Sequence, residues 1–362
     1  MAIDRAAMRM IFSCQFWRMA ICWTFALLFS YLRFHLRGRC LTQHPRFRFS
    51  LDPGGKIRRP ICIITGATSG LGEATARAMA AEGYHVVLAG RCSEKLDKII
   101  QDIMKGNESA HLNAFQVDLS SFHSILKFER SFKQWLLDSN LDHSVQLLIN
   151  NAGILATSFK VSADGYDKMM QTNYLGAFAL TNLLLPLLKK SPVPSRIVNI
   201  TSFTHRCVTN LKLDCNIFSH SSSSEKYPFA NVYENSKLCL LLFSYELHRR
   251  LYEENPLSNI SIIPVDPGVV KTKILREIPL CLSQLAFTVL SFLRLLQSPE
   301  TGASSVVDAA LAPPNVSGEY FFGGKGRMVE SSSLSYNAKL AADLWSKSST
   351  LFEDQIAIHK DF

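Results

Sequence analysis

The sequence predicts an α/β protein with a single doubly wound parallel sheet. An apolar run over Cys62, Ile63 and Ile64 leads through a glycine-rich turn into a helical pattern that continues to Ala80. Further strand-like and helix-like segments alternate along the chain, which requires right-handed βαβ crossovers and a sheet covered on both faces. The 362 residues, 47% of them hydrophobic, suffice for one large domain with terminal segments.

The turn after the first strand, residues 65–72, reads TGATSGLG and has the spacing GxxxGxG. A glycine turn alone is often only a turn, but a strand before it and an amphipathic helix after it favour a Rossmann-type dinucleotide site. Free N–H groups at the start of the helix would meet the phosphates. Gly66 would allow the tight turn, Gly70 close approach of a pyrophosphate, and Gly72 close helix packing. The predicted ligands here are Gly66, Ser69, Gly70, Leu71 and Gly72.

The second strand, Tyr84 to Ala89, ends in Gly90 and Arg91, where an NAD-selective chain would place a carboxylate. Arg91 offers a planar, permanently charged fork that suits a 2′-phosphate, so NADP(H) is the predicted cofactor. The alternative is an ordinary surface arginine.

Tyr233 and Lys237 are four residues apart, so on a helix their side chains lie on one face. A nearby ammonium stabilises a phenolate and brings a tyrosine toward a working pKa, which indicates acid/base chemistry. A pair at this spacing also arises by chance on ordinary helices, so other motifs must support it.

Those motifs occur in one order from about Ile61 to Ser349, and together they resemble the short-chain dehydrogenase/reductase family in its retinol-dehydrogenase-like, membrane-associated branch. Besides the glycine turn, the resemblance lies in Asp118-Leu119, Asn150-Asn151-Ala152-Gly153, Asn173 in TNYLG, Ser202 after RIVNIT, Tyr233 with Lys237, Asp266-Pro267-Gly268-Val269-Val270-Lys271-Thr272, and Leu344-Trp345.

The resemblance implies cofactor roles for positions after the later strands. Asp118 would lie by the adenine, Asn150 and Gly153 along the cofactor channel, and Thr272 on the nicotinamide amide. Alternatively, Asp118 and Thr272 cap helices and Asn150 is a turn residue. The implied cofactor residues are Asp118, Asn150, Ala152, Gly153, Tyr233, Lys237, Pro267, Gly268 and Thr272.

The same resemblance implies a catalytic set of Asn173, Ser202, Tyr233 and Lys237. Ser202 would bond the substrate carbonyl oxygen and Tyr233 would supply its proton. Lys237 would hold the ribose hydroxyls and lower the phenol pKa, while Asn173 would anchor a water that relays protons. Ser202 could instead be a strand-end hydroxyl, and Asn173 an ordinary polar helix residue.

Two other functions remain open. A catalytically weak cofactor-binding scaffold or regulatory protein could use the same fold, although a complete catalytic set argues against it. A serine hydrolase is poorly supported because GxSxG is absent and His205 has no acid partner at a recognisable spacing.

Thirty residues separate Ser202 from Tyr233, more than in compact family members. The excess contains a serine-rich, low-complexity insertion, residues 219–226, which predicts a loop. The loop is either a lid beside the pocket or tolerated extra length.

Ile11 to Leu32 is apolar except for Gln15 and Arg18. It is long enough to cross a bilayer, but a central arginine costs about 2.5–3.5 kcal/mol there. An N-terminal membrane anchor is therefore predicted, spanning or interfacial, over a cleaved or transit peptide or a packed core helix. A second uncharged stretch, Ile278 to Leu293, is predicted to be a lipid-facing pocket wall or lid, with a core helix or a short span as alternatives.

The net charge is +9, and basic residues concentrate near the anchor, which favours a membrane surface over nucleic acid. The predicted location is the endoplasmic reticulum membrane, with the catalytic domain facing the cytosol. The predicted partners are a lipophilic small molecule (isoprenoid, retinoid or steroid type), the membrane and a possible second copy in a homodimer. The basic residues are Arg33, Arg37, Arg39, Arg46, Arg48, Lys56, Arg58 and Arg59.

The nine cysteines are scattered without a CxxC pair, which predicts a reducing compartment and no structural metal. The predicted organisation is an anchor with its basic flank at 1–40, a linker at 41–60, the Rossmann-type domain at 61–330 with its substrate-pocket segment at about 271–300, and a C-terminal helix and tail at 331–362.

Overall fold

A computed structural model describes residues 8, 10–37, 39–40, 59–139, 141–214, 217–219, 227–324 and 326–359. Residues 220–226 of the serine-rich insertion and residues 41–58 of the linker lie outside the described residues. In the described parts the α/β class and the doubly wound arrangement are confirmed.

The strands are β1 Arg39–Cys40, β2 Ile61–Thr65, β3 His85–Gly90, β4 His111–Gln116, β5 Leu147–Asn150, β6 Ser195–Ile200, β7 Ile260–Asp266, β8 Val269–Val270, β9 Leu296–Gln297, β10 Phe321–Phe322 and β11 Arg327–Met328. In the described part of the chain, nine of them form the main sheet in the order β1-β11-β10-β7-β6-β5-β2-β3-β4, and β8 and β9 form a separate pair. Seven neighbouring strands run parallel, namely β4, β3, β2, β5, β6, β7 and β10. Strand β11 pairs antiparallel with both of its neighbours, β10 and β1. The parallel prediction is therefore corrected at one edge.

Helices cover both faces of this sheet, and their starts follow capping chemistry. Ser121 accepts from the Ser124 amide at the start of the helix Phe122–Asp138, and Ser298 accepts from the Thr301 amide at the start of the helix Pro299–Ala310. The helices are α1 Cys14–Arg37, α2 Gly70–Ala81, α3 Ser93–Gly106, α4 Phe122–Asp138, α5 Lys168–Met170, α6 Gly176–Lys189, α7 Phe229–Glu254, α8 Leu280–Phe292, α9 Pro299–Ala310 and α10 Ala338–Ile358.

Two apolar cores lie on either side of the strands. One packs α4, α6, α7 and α10 against the sheet, and the other packs α2, α3 and α9. The C-terminal helix α10 places Trp345 against Phe178 of α6 and Phe243 of α7, with ring centroids 5.3 and 5.7 Å away. The helices that flank the predicted active site are therefore held from outside by the C-terminal segment.

The apolar helix α1 lies across the carboxyl edge of the sheet. Its Tyr31 and Phe34 rings contact Phe322 of β10, and Ser30 accepts a hydrogen bond of 3.0 Å from Arg206. It is also the one helix, among the described residues, that is long and apolar enough to span a membrane.

The second apolar stretch forms α8, which lies on the surface. Leu280, Leu285 and Phe292 are 72, 61 and 87% exposed, and Ser283 is the one buried residue among those of the helix. This exposure excludes the core-helix alternative. A helix of 13 residues is also too short to span a bilayer.

Candidate active site

Tyr233 and Lys237 lie one turn apart on α7, as their spacing predicts. Both are buried, and the Lys237 Nζ lies 5.8 Å from the centroid of the Tyr233 ring. The ammonium donates to the Ile200 carbonyl at 2.9 Å, and Thr201 donates to the Lys237 carbonyl at 3.0 Å. These bonds tie the centre of α7 to the end of β6.

Ser202 follows β6 and brings its hydroxyl to the Tyr233 phenol, with which it hydrogen-bonds. Burial raises the pKa of Tyr233 above its usual value, the Asp266 charge raises it further, and the Ser202 bond opposes the shift. The net pKa of Tyr233 is therefore raised, and a lowering by Lys237 stays a prediction. A protonated phenol is suited to donating a proton to a carbonyl oxygen.

Asn173 lies in a π-helical turn, Gln171–Leu175, between α5 and α6. Its Oδ1 accepts from the Ile154 amide at 2.8 Å, and its Nδ2 donates to the Ile154 carbonyl and to the Ser236 hydroxyl, both at 3.0 Å. Single π-helical turns occur frequently at functional sites. Asn173 thereby joins the loop after β5 to the Tyr233 helix, and its proposed water stays a prediction.

Two buried ionisable groups, Lys237 and Asp266, lie within interaction range of one another at this centre. Burial lowers the pKa of Lys237 to about 8, with Asp266 opposing the shift, and burial raises the pKa of Asp266 to about 6. Asp266 accepts from the Gly268 amide at 2.8 Å and from the Tyr320 hydroxyl at 3.0 Å. Both groups therefore titrate nearer to neutral pH than usual.

The glycine loop has the shape that a dinucleotide requires. Gly66 and Gly70 have φ of +67° and +56°, a region that favours glycine. A Cβ on Gly70 would lie 3.0 Å from the Thr272 Cγ2, and one on Gly72 would collide with the Gly66 carbonyl. Ser69 makes no side-chain capping bond at the start of α2, so the first turn is open to a phosphate. The residues present fit a nicotinamide dinucleotide.

Comparison with known proteins gives the family. A family model described as short chain dehydrogenase matches residues 60–208. Human polyprenol dehydrogenase is 35% identical over 293 residues, which is 80% of this chain and 83% of the relative. The chain belongs to the short-chain dehydrogenase/reductase family. It is therefore related to oxidoreductases that use a nicotinamide cofactor.

Other relatives agree on the family. Human retinol dehydrogenase 13 is 34% identical over 80% of this chain and 83% of its own length. The Arabidopsis thaliana family member FEY is 33% identical over 70% of this chain, which matches 64% of FEY. A solved Mycobacterium paratuberculosis protein is 27% identical with a TM-score of 0.63, and the alignment covers 87% of this chain and 98% of that one. The predicted resemblance to the retinol-dehydrogenase-like branch is confirmed.

Several predicted cofactor residues of this short-chain dehydrogenase/reductase surround the glycine loop. Thr272 lies against Gly70 and also caps a short 3₁₀ helix, Lys273–Leu275, by accepting from the Ile274 amide at 3.4 Å. Gly153 lies between Asn173 and Lys237, since a Cβ on it would be 3.5 Å from the Asn173 Oδ1 and from the Lys237 Nζ. Their contacts with a cofactor stay predictions. Of the other predicted residues, Leu71 lies in the first turn of α2, Ala152 against Gly66, and Pro267 and Gly268 directly after β7.

Other predicted residues have protein partners instead. Asp118 accepts from the Ser120 amide and hydroxyl at 2.9 and 2.7 Å, in the turn before α4. Asn150 is buried and donates to Thr181 and Asn199 at 2.9 and 2.8 Å. The residue that braces the glycine loop is Asn151, whose Nδ2 donates to the Thr65 carbonyl at 2.8 Å. The cofactor roles of Asp118 and Asn150 stay predictions.

His205 has a structural position beside Ser202. Its Nε2 accepts from the Ser332 amide at 3.1 Å, so its Nδ1 carries the proton and donates to the Ser202 carbonyl at 2.6 Å. Both ring nitrogens of the neutral imidazole are thus hydrogen-bonded within the protein, which agrees with the exclusion of His205 as a hydrolase base.

The acid stability of the fold should depend on His205. Burial lowers the pKa of His205 to about 3, against about 6.5 in an unfolded chain. Below about pH 6.5 the unfolded state then binds more protons than the folded state. The contribution of His205 to the free energy of unfolding is therefore fully present above about pH 6.5 and decreases by about 1.4 kcal/mol per pH unit as the pH falls toward the folded-state pKa of about 3. Chemical unfolding across this pH range should give a steeper acid loss than in His205→Gln. Parallel profiles would contradict the assignment.

Sequence patterns missed one contact at this site, in which Glu234 pairs with Arg18 and Trp23. Glu234 lies inside the YENSK motif and is buried, while its partners Arg18 and Trp23 are more than 200 residues away. Arg18 carried the available signal, because a charge in an apolar helix requires a partner.

Proposed function

We propose that this chain is an NADP(H)-dependent oxidoreductase that transfers hydride between nicotinamide and the carbonyl or alcohol of a hydrophobic substrate. The observation that carries the proposal is the meeting of Tyr233, Ser202, Lys237 and Asn173 beside an open glycine loop. When bound, the nicotinamide supplies or accepts the hydride.

Side chains of the protein orient the substrate and transfer the proton. Ser202 orients the carbonyl oxygen, and the Tyr233 phenol donates a proton to it in reduction or accepts one in oxidation. Burial lowers the pKa of Lys237 to about 8, so its ammonium gives up a proton more readily than that of an ordinary lysine.

Apolar surface near this centre supports a lipophilic substrate and a membrane location. Outward-facing Ile21 and Phe25 of α1 are 53 and 68% exposed, and Val289 and Phe292 of α8 are 49 and 87% exposed. Such surface is uncommon on soluble monomers and suits a lipid bilayer. The relatives named above include a polyprenol dehydrogenase and a retinol dehydrogenase. We place the protein on the cytosolic face of the endoplasmic reticulum, which protease protection in microsomes tests.

The test is turnover by the full chain in lipid nanodiscs. With NADPH, we expect reduction of polyprenyl, retinoid or steroid carbonyls and weak reduction of small soluble aldehydes. Lipid analysis of cells with and without the chain should show a matched alcohol and carbonyl pair that shifts. Cofactor binding without turnover of any carbonyl or alcohol would instead favour the scaffold.

Arg91 should select the cofactor. It is exposed after β3 and lines a cavity of about 220 Å³ together with Ile154. A Cβ on the preceding Gly90 would lie 3.0 Å from the Thr68 Cγ2, so Arg91 follows a residue in contact with the glycine loop. Losing a charged hydrogen bond to the 2′-phosphate costs about 1.5–3 kcal/mol, so Arg91→Asp should raise the KM for NADPH about 10- to 100-fold. The KM for NADH, measured on the same variant, should change little. Equal losses for both cofactors would refute the contact.

A further inference from the structure

The one arginine inside the apolar stretch of α1 is paired within the protein. The Arg18 Nη2 lies 2.6 Å from the Glu234 Oε2, and its Nη1 donates to the Oε1 at 3.2 Å. The Trp23 indole donates to the same Oε1 at 2.8 Å. Glu234 is 1% exposed, so two side chains of α1 satisfy both oxygens of a buried carboxylate.

This contact lies directly beside the predicted proton donor. Glu234 follows Tyr233 on α7, and the Trp23 ring centroid lies 5.6 Å from that of Tyr233. Met19 of α1 is buried in the same apolar cluster as Tyr233 and Ile278. Helix α1 therefore covers the side of Tyr233 that leads toward α8.

Helix α1 is apolar on two faces. Met19, Trp23 and Leu27 face the domain, whereas Trp17 and Phe25 on the other side are 53 and 68% exposed. A helix that is apolar all round suits burial or a membrane, and here one face is already used by the protein.

We propose that α1 is a cap on the active site and not only an anchor. Arg18, Trp23 and Glu234 form a latch that holds α1 on α7, and Trp23 forms a wall of the substrate site beside Tyr233. In this arrangement α1 lies along the membrane surface and does not cross it. The role of Trp23 rests on the proposed oxidoreductase function, whereas the docking of α1 does not.

Docking is tested without any activity assay. Helix α1 packs against the short 3₁₀ helix Phe203–Cys207 that follows Ser202, and Cys22 of α1 is near enough to Cys207 for their charges to interact. A short bis-maleimide added to the full chain in liposomes should link these two cysteines, as peptide mass spectrometry detects, and Cys207→Ser should remove the product. Arg18→Glu should reduce the linked fraction about 10-fold, and Arg18→Glu with Glu234→Arg should restore it. No link in the unchanged chain, while Cys22 and Cys207 each still react singly with a maleimide, would overturn the cap.

The role of Trp23 as a wall of the substrate site is tested by measuring kinetics with aldehydes of increasing chain length. Trp23→Ala should raise the KM for long-chain substrates about 10-fold, leaving the KM for NADPH and for a short soluble aldehyde nearly unchanged. Trp17→Ala is the matched control, since Trp17 is on the outer face of the same helix. It should weaken liposome binding without changing chain-length preference.

The outcomes separate the two hypotheses. Equal effects of Trp17→Ala and Trp23→Ala on all substrates would contradict the role of Trp23 as a wall of the substrate site and would leave α1 as an anchor only. If the unchanged chain reduces no carbonyl but the cysteines are linked, the proposed function fails while the docking of α1 stands.

Discussion

Replacing Tyr233 by Phe should abolish nearly all oxidoreductase activity and leave the fold intact. The substitution removes one hydroxyl, which hydrogen-bonds Ser202 in a buried position. Proton transfer by a positioned group contributes about 10²- to 10⁴-fold, so kcat should fall by a similar factor. Steady-state kinetics of the purified chain in nanodiscs measures this, with NADPH binding followed separately by fluorescence.

Tyr245→Phe provides the matched control. Tyr245 is on the same helix and is also buried, but its hydroxyl bonds the Ser331 hydroxyl at 2.8 Å, away from Ser202. Its loss should lower stability by about 1 kcal/mol with kcat nearly unchanged. If Tyr233→Phe turned over substrate as fast as the unchanged chain, the redox assignment would be wrong.

Local chemistry made much of this site predictable. The spacing of Tyr233 and Lys237 fixes their shared helix face whatever surrounds them. Gly66, Gly70 and Gly72 occupy a strand–turn–helix unit in which each glycine has a steric reason, and the structure places all three accordingly. Patterns of this kind span a few residues and do not depend on the rest of the fold.

Features that depend on distant contacts were not predictable in this way. The upward shift in the pKa of Tyr233 results from its burial beneath other elements, which no local spacing encodes. The motif around Tyr233 gives no signal that Glu234 has a role, because its partner Arg18 lies 216 residues away in the sequence. The two antiparallel edge strands are two residues long each, too short for a periodic signal.

A buried arginine far from the catalytic centre should have the largest effect on stability. Arg196 of β6 is 6% exposed, and its Nη1 donates to the carbonyls of Ala309 and Ala312 at 2.8 and 2.7 Å. Its Nη2 donates to the Pro313 carbonyl at 2.8 Å. The guanidinium therefore neutralises the C-terminus of α9, where carbonyls lack partners within the helix.

Arg196→Met keeps the length of the side chain but leaves these carbonyls buried without donors. We expect a loss of about 3–5 kcal/mol in the free energy of unfolding, measured by chemical denaturation. Arg196→Lys should lose less, because an ammonium still offers three donors. The control is Arg77→Met, since Arg77 is 41% exposed. It pairs with Glu73 on its own helix and donates to the Asp102 carbonyl at 3.1 Å, and such exposed interactions are worth about 0.5 kcal/mol each.

The effect should extend to the cofactor site through α9. A Cβ on Gly302 of α9 would lie 2.5 Å from the Val270 Cγ2 and 3.3 Å from the Leu71 Cδ1, so α9 packs closely against the helix that follows the glycine loop. Loosening the end of α9 should therefore raise the KM for NADPH in Arg196→Met at temperatures where the variant is still folded. If Arg196→Met lowered the free energy of unfolding no more than Arg77→Met, the capping role of Arg196 would be excluded, because buried carbonyls without donors destabilise the folded state by more than the loss of an exposed ion pair.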